Sequence, residues 1–365
     1  MRYLFVTGHP AHVHLFKNVI RALEASGNEI LVGAVTREMT TDLLKLFGIP
    51  YLVFGRTRPE MIGKALDVLP KELALLKLAR DFNPDVFIST GSPYAAHVSA
   101  VLDKPHLAFG DTEDATLTAR LTIPFTNVVC TPACYEGDLG PKQVRYNGYK
   151  ELAYLHPTYF RPNRNVIDIA GLSSTEPYII MRLASWDASH DLGGYGFGFK
   201  DSHEALTFVK ELESSGRVVV TSDRKVGPPL DSFGLSISPE LIHHVLAFAK
   251  LYIGEGATMA AEAGVLGVPW IFVSNRGRGF LSDQQNRYRL GYWVPSAEIA
   301  LERARMLLSQ GDLPEEWRRK RDFMLSEKAD VTRFITEFIE GWPDSSVSAM
   351  ERQVTPYAES AFLRK

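Results

Sequence analysis

Three of the chain's 10 histidines, His9, His12 and His14, crowd into six positions of "GHPAHVHLF" (8–16), directly behind the apolar run "MRYLFVT". Histidine is both a common metal ligand and the usual general base near neutrality, so the spacing admits two chemistries. As metal ligands, His12 and His14 form an H-x-H pair with His9 upstream. Such sites need further His or Asp at strand ends, and no Asp-His follows here. The other seven histidines, His97, His106, His156, His190, His203, His243 and His244, form no ligand-like cluster. The metal reading is therefore the weaker one, and no metal is expected. His12 becomes the candidate base of a turn that faces a substrate, with His9 and His14 as further candidates on the same loop. Each histidine also has a plain reading as a packed, hydrogen-bonded side chain.

Three other stretches carry chemistry. "LYIGEGATMAAEAGVLGVPWIFV" (251–273) runs from a strand into a helix of small residues. Gly256 and Ala257 leave room for a ligand at the backbone, and the N–H groups of a first helical turn suit a diphosphate. Thr258 adds a hydroxyl, and Glu262, one turn along the same face, could accept from ribose hydroxyls. The plain reading is a tight turn chosen for close helix–sheet packing. "FGDTEDAT" (109–116) sets Asp111, Glu113 and Asp114 at a strand end, either as a base or acceptor-binding group or as helix caps. "SWDASHD" (185–191) crowds Trp186, Asp187, His190 and Asp191 into one loop before a glycine-rich stretch, and such loops are often functional. "STGSPYAAH" (89–97) contacts an acceptor or caps a helix, and His243 or His244 stands near a nucleobase or simply packs.

The elements that must position these residues alternate along the chain. Short β-branched runs at 3–6, 29–35, 51–54, 85–90, 106–109 and 127–131, then at 178–184, 217–222, 251–254 and 270–274, are separated by amphipathic stretches. In the first of these, Leu15, Phe16, Val19, Ile20 and Leu23 share one helical face, and Gly27 ends it. Continuous rather than alternating apolar strands mean burial on both faces, hence parallel sheets covered by helices. At 365 residues two domains are expected, residues 1–160 and 161–342, with 343–365 as a tail. The proline-rich stretch 156–177 is the expected junction, and the strand ends of both sheets are expected to face one cleft. A formal charge of −3 gives no reason to expect nucleic acid, and Cys130 and Cys134 read as ordinary thiols. No apolar run reaches membrane-spanning length, and the immediate first strand argues against a signal peptide, so a cytoplasmic protein is expected. The basic amphipathic stretch 57–80 leaves a peripheral contact with the inner membrane face open, although a core helix explains it equally well.

"GEGATMAAEAGVLGVP" followed by "SDQQNRY" (282–288) resembles the nucleotide-sugar-binding region of GT-B glycosyltransferases, in particular the N-acetylglucosaminyltransferase that makes lipid II. That resemblance implies diphosphate contacts at Gly256, Ala257 and Thr258, a ribose contact at Glu262, and donor-sugar contacts at Gln284 and Gln285. The opening segment is similar too, from Ala11-His12-Val13 to Gly27, with "GHPAH" in place of the family's run of glycines. Where the family has a Gly-Gly-Ser turn, this chain has "MRLASWD"; Ser185 would keep the phosphate-facing hydroxyl and Arg182 would supply charge. The order HPAHVH, GSPYAA, DTE, YKELAYLHP, SWDASHD, GATMAAEA resembles a prokaryotic family of GT-B-like proteins over nearly the full length, and implies the fold without an activity. A more distant likeness is to the non-hydrolysing UDP-N-acetylglucosamine 2-epimerases.

The expectation is an α/β GT-B protein with two Rossmann-like domains. It would move a sugar of GlcNAc type from a UDP-sugar to the hydroxyl of a glycan or lipid-linked acceptor, without a metal or other cofactor and with inversion. The base would be His12, Asp111 or Glu113. The absence of Asp-x-Asp anywhere in the chain argues against the metal-dependent single-domain transferases. A UDP-sugar 2-epimerase and a non-catalytic nucleotide-sugar binder are the alternatives.

Overall fold

The computed structural model describes residues 1–36, 39–56, 68–113, 115–173, 175–183, 197–199, 201–222 and 227–354. The chain divides into two compact units, Met1–Tyr154 with Ala329–Lys365, and Leu155–Lys328.

The first unit is built on a seven-stranded sheet in the order β3-β2-β1-β4-β5-β6-β7. Its strands are β1 (Arg2–Thr7), β2 (Glu29–Thr36), β3 (Tyr51–Arg56), β4 (Val86–Ser89), β5 (His106–Phe109), β6 (Val128–Pro132) and β7 (Gln143–Tyr146). Every pairing is parallel. The expected apolar face of the Pro10–Ala25 helix is buried, and Val13 and His14 join it. Gly27 follows that helix at φ 83°, a left-handed turn that a side chain would strain. The helix Val68–Phe82 buries Lys71, Leu75, Leu78 and Ala79, so this part of the basic amphipathic stretch belongs to the core. Residues 57–67 of that stretch lie outside the described residues.

The second unit carries a five-stranded sheet in the order β12-β11-β10-β8-β9. Its strands are β8 (Tyr178–Leu183), β9 (Arg217–Ser222), β10 (Leu251–Gly254), β11 (Trp270–Val273) and β12 (Gly291–Val294), again all parallel. The strands β7 and β12 were not expected. "QVRY" and "GYWV" are only four residues long and mix polar with apolar positions, so neither shows the continuous run of a doubly covered strand.

The expected domain bounds need correction at the C-terminus. The second unit ends at Lys328, not 342, and the described part of 343–365 is no loose tail. The helix Val331–Glu340 buries Val331, Thr332, Ile335, Phe338 and Ile339. Phe338 meets Phe109 edge-on at 6.1 Å, Phe334 stacks on Tyr146 at 4.9 Å, and the Thr332 hydroxyl donates to the Ala153 carbonyl at 2.6 Å. A second helix, Asp344–Val354, follows in the same unit. The apolar period was legible; which core it covers was not, because periodicity names a face and never its partner.

Burial also settles one titration. His106 is fully buried on β5, and burial alone pushes its imidazole down to about 3. Its ring is nevertheless satisfied: Nδ1 donates to Thr126 Oγ1 at 2.9 Å, and Nε2 accepts from the Ser89 hydroxyl at 2.8 Å. Thr126 passes its own proton to the Thr122 carbonyl, which assigns the tautomer through the network. The unfolded chain binds a proton here near pH 6.5. Stability is therefore present above that pH and is lost as pH falls toward 3, by up to about 1.4 kcal/mol per unit. Urea unfolding between pH 4 and 7 should be steeper in pH for the wild type than for His106→Gln; equal slopes would mean that the folded protein protonates His106 freely.

Among the described residues no helix is long and apolar enough to cross a membrane. Cys130 and Cys134 are free thiols, and burial pushes that of Cys130 up.

Candidate functional site

In each sheet the chain leaves one central pair of strands in opposite directions. In the first unit β1 and β4 are neighbours, with β2 and β3 on one side and β5 to β7 on the other. In the second the pair is β8 and β10, with β9 on one side and β11 and β12 on the other. Loops beyond the carboxyl ends of such a pair diverge and leave a crevice, where open α/β sheets bind ligands.

The three clustered histidines separate into three roles. His9 is the N-cap of the Pro10–Ala25 helix, its Nδ1 accepting from the Ala11 N–H at 3.2 Å. His14 is a correction: it lies on the helix and not on a loop, 7% exposed, with Tyr154 at 5.2 Å and Phe47 at 5.5 Å, so its role is packing. His12 stands at the β1/β4 crevice. Its Nδ1 accepts from the Gly8 N–H at 3.4 Å, and its Nε2 lies 2.9 Å from Thr90 Oγ1, just past the end of β4. Because Nδ1 accepts, Nε2 carries the proton and donates to Thr90. The turn bearing Thr90 is held from below, with Ser89 Oγ accepting from the Gly91 and Ser92 N–H groups at 3.1 and 2.9 Å. Ser92 in turn caps the Pro93–Val101 helix.

At the end of β5, Asp111 is 8% exposed, with Oδ2 2.7 Å from Lys150 Nζ and Oδ1 accepting from the Thr112 hydroxyl at 3.3 Å. Neither Asp111 nor Thr112 caps the next helix, Thr116–Thr122, whose N-cap is Ala115. Capping is thus excluded for these two. Glu113 is half-buried, close enough to Tyr135 that its charge, with that of Asp111, adds to burial in pushing the Tyr135 hydroxyl up, against Arg145. The guanidinium of Arg145 donates to the Tyr135 and Gly137 carbonyls at 2.5 and 2.6 Å. Asp114 lies outside the described residues. Among the described residues no three His, Cys, Asp or Glu side chains gather as a metal site.

In the second unit β10 ends at Gly254, where a Cβ would come within 2.7 Å of the Arg182 carbonyl on β8. The turn Gly254-Glu255-Gly256 then starts the Ala257–Leu266 helix. Gly256 is its N-cap and has no side chain to cap the first-turn N–H groups, and no acid stands in that turn. Those of Ala257 and Thr258 lie in half-buried backbone. The Arg182 side chain runs past Gly256, where a Cβ would sit 3.2 Å from Arg182 Cγ and 3.0 Å from Tyr252 Oη. Tyr252 donates to the Gly256 carbonyl at 2.9 Å, fixing the turn. A partly exposed helix start whose N-cap is a glycine, with a guanidinium stem beside it, can receive a doubly charged phosphate group.

Further along that helix Glu262 is 6% exposed, and His243 Nε2 donates to its Oε1 at 2.9 Å. Gln284 is a correction. It has no exposed surface, its Nε2 donates to the Ala261 carbonyl at 3.2 Å, and its Oε1 accepts from Trp270 Nε1 at 3.0 Å. Its amide is spent on tying two helices to β11, so it does not contact a sugar. Gln285 is half-buried, with Oε1 accepting from the Trp293 N–H at 2.6 Å. Ser185, Asp187 and His190, with the rest of "SWDASHD", lie outside the described residues.

The family model described as "Protein of unknown function (DUF354)" matches residues 3–283. The chain belongs to this family. The matched span of the DUF354 chain contains both crevices. No curated protein matches it in sequence. In fold it is similar to the UDP-GlcNAc 2-epimerase from Neisseria meningitidis bound to UDP-GlcNAc, at 14% identity and a TM-score of 0.65, covering 93% of this chain and 100% of that one. It is similar to S. aureus MnaA in complex with UDP at 10% identity and a TM-score of 0.65, over 93% and 96% of the two chains. A Streptomyces sp. SF2575 glycosyltransferase complexed with thymidine diphosphate follows at 18% identity and a TM-score of 0.60, over 92% and 99%. The DUF354 chain thus has the fold of two parallel-sheet α/β domains found in GT-B glycosyltransferases and these epimerases.

Sequence reasoning flags the segment 89–97 without singling out Thr90, and it misses Lys150 and the pairing of His243 with Glu262. Lys150 stands in "YKELAYLHP", yet a lysine in a loop carries no signal of its partner 39 positions earlier.

Proposed function

We propose that this protein is a GT-B glycosyltransferase whose second unit binds the diphosphate of a nucleotide sugar at Gly256–Thr258 beside Arg182. The observation that carries the reading is the β8/β10 crevice with its helix start at the N-cap glycine Gly256 and the adjacent arginine. A UDP-sugar of GlcNAc type is the proposed donor, with the ribose diol on Glu262. The UDP-GlcNAc and UDP bound in the Neisseria and S. aureus proteins support that choice. The reading uses no metal, because backbone N–H groups and Arg182 meet the diphosphate charge.

The acceptor hydroxyl, of a glycan or a lipid-linked sugar, attacks the anomeric carbon as the bond to the diphosphate breaks, and the electron pair leaves with the nucleotide. Direct displacement inverts configuration. His12 takes the acceptor's proton on Nδ1, giving up the 3.4 Å bond from Gly8, which is longer than the 2.9 Å bond to Thr90. Asp111 is the poorer base, since both oxygens are engaged by Lys150 and Thr112. Glu113 is the remaining alternative.

Thermal-shift titration in EDTA tests the donor site. UDP or a UDP-sugar at 100 times its Kd should stabilise the wild type by about 2.7 kcal/mol, and Glu262→Ala should reduce the shift strongly. His12→Ala should keep the shift and lose transfer. No shift with any nucleotide would sink the proposal. An epimerase reading rests on Glu113, and it separates from transfer by solvent deuterium appearing at C2 of UDP-GlcNAc without an acceptor.

A further inference from the structure

We propose that His243 is a positioning residue that aims the Glu262 carboxylate at the ribose of a bound nucleoside diphosphate, and so sets the preference for ribonucleotides over 2′-deoxyribonucleotides. The inference rests on the nucleotide-binding reading of the Gly256 turn and goes beyond it to a residue of another element.

Glu262 is an unusual occupant of its helix. Its neighbours Ala260, Ala261, Ala263 and Gly264 are small and fully buried or nearly so, and a glutamate side chain has three rotatable bonds that small neighbours leave undefined. One partner that defines it stands 19 residues earlier in the chain. His243 Nε2 donates to Oε1 at 2.9 Å, with only 4% of the histidine side chain and 7% of the glutamate side chain exposed.

The donor is itself held from two sides. His243 sits on the short helix Ile242–Leu246, and the ring of Phe160 meets it edge-on at 6.2 Å and 84°. Phe160 also lies against His244 at 4.7 Å, and His244 Nδ1 accepts from the Asn163 N–H at 3.0 Å. The segment 160–163 therefore fixes the helix that fixes the glutamate. Glu262 lies one helical turn beyond Thr258, on the face that begins at the proposed diphosphate site. A carboxylate offers about four acceptor sites, and the bond from His243 takes one of those on Oε1. A vicinal diol is a double donor, and an orientation error of one rotamer would forfeit both bonds.

The test compares dissociation constants of UDP and 2′-deoxy-UDP by calorimetry for the full-length wild type, His243→Gln, His243→Asn and His243→Phe. The wild type should prefer UDP by about tenfold, the worth of one hydrogen bond to a charged group. His243→Gln, whose amide nitrogen replaces Nε2, should keep that ratio. His243→Asn is too short to reach and His243→Phe has no donor; both should bring the ratio close to one, UDP losing both ribose bonds and 2′-deoxy-UDP only the one from its 3′-hydroxyl. A preserved ratio in the Asn and Phe variants, or equal weakening of both nucleotides, would overturn the positioning role and leave nucleotide binding intact. Failure of the wild type to bind either nucleotide overturns both readings.

Discussion

Replacing Lys150 by alanine should cost the first unit about 3–5 kcal/mol, among the largest effects available from one side chain. The ammonium lies 2.7 Å from Asp111 Oδ2, and the two side chains are 12% and 10% exposed. Water can therefore do little to replace the lost partner, and the carboxylate would remain buried with its charge uncompensated but for the Thr112 hydroxyl. Taking both charges away has a different sign. The double variant Lys150→Met, Asp111→Leu removes two desolvated ions together and should fall much closer to the wild type, or above it. Urea midpoints at pH 7, with amide exchange in β5 as a local probe, read this directly. A Lys150→Ala midpoint within about 0.5 kcal/mol of the wild type would mean that water reaches Asp111, and would restore that carboxylate as a candidate base.

Trp270→Ala should cost the second unit about 3–5 kcal/mol as well, for a different reason. Trp270 has no exposed surface, and the chain is built around its shape. A Cβ on Gly291 would lie 2.0 Å from Trp270 Cδ2, and one on Gly264 would lie 2.1 Å from Gln284 Oε1, the acceptor of the indole N–H. Both glycines are places where the indole and its partner amide fill the space of a side chain. Truncating the indole leaves a large cavity and strips Gln284 of its donor. Trp270→Phe should recover part of the loss by refilling volume. Gly291→Ala should cost about 1–3 kcal/mol by overpacking. Gln284→Ala then separates two accounts of the same residue: an unfolding midpoint lowered by about 1–3 kcal/mol with UDP-sugar affinity unchanged follows from its buried bonds, whereas lost donor affinity at full stability would return it to the sugar site.

Much of this was legible in the linear chain. Ten of the strands stand where the continuous β-branched runs are, since a doubly covered strand must be apolar at every position. The first helix buries the five residues whose spacing placed them on one face. The turn at Gly256 was also readable, because small residues between a strand and a helix are a local feature. Likeness of motif was less safe than periodicity. It placed Gln284 on the donor sugar, although Trp270 had claimed the same amide.

What the linear chain left open is what depends on partners distant in sequence. Alternation and spacing set which side of an element is apolar, but not which core receives it, so the sequence groups the helix Val331–Glu340 with the second unit, whereas Phe109 and Tyr146 of the first unit lie against it. Histidine identity did not distinguish a cap, a crevice residue and a packed ring among His9, His12 and His14; Ala11, Thr90 and Tyr154 did. The same holds for Lys150 with Asp111 and for His243 with Glu262. Local propensity acts over one turn of helix or one pleat of strand, whereas a buried charge or imidazole takes its role from whichever group the sheet order brings within about 3 Å.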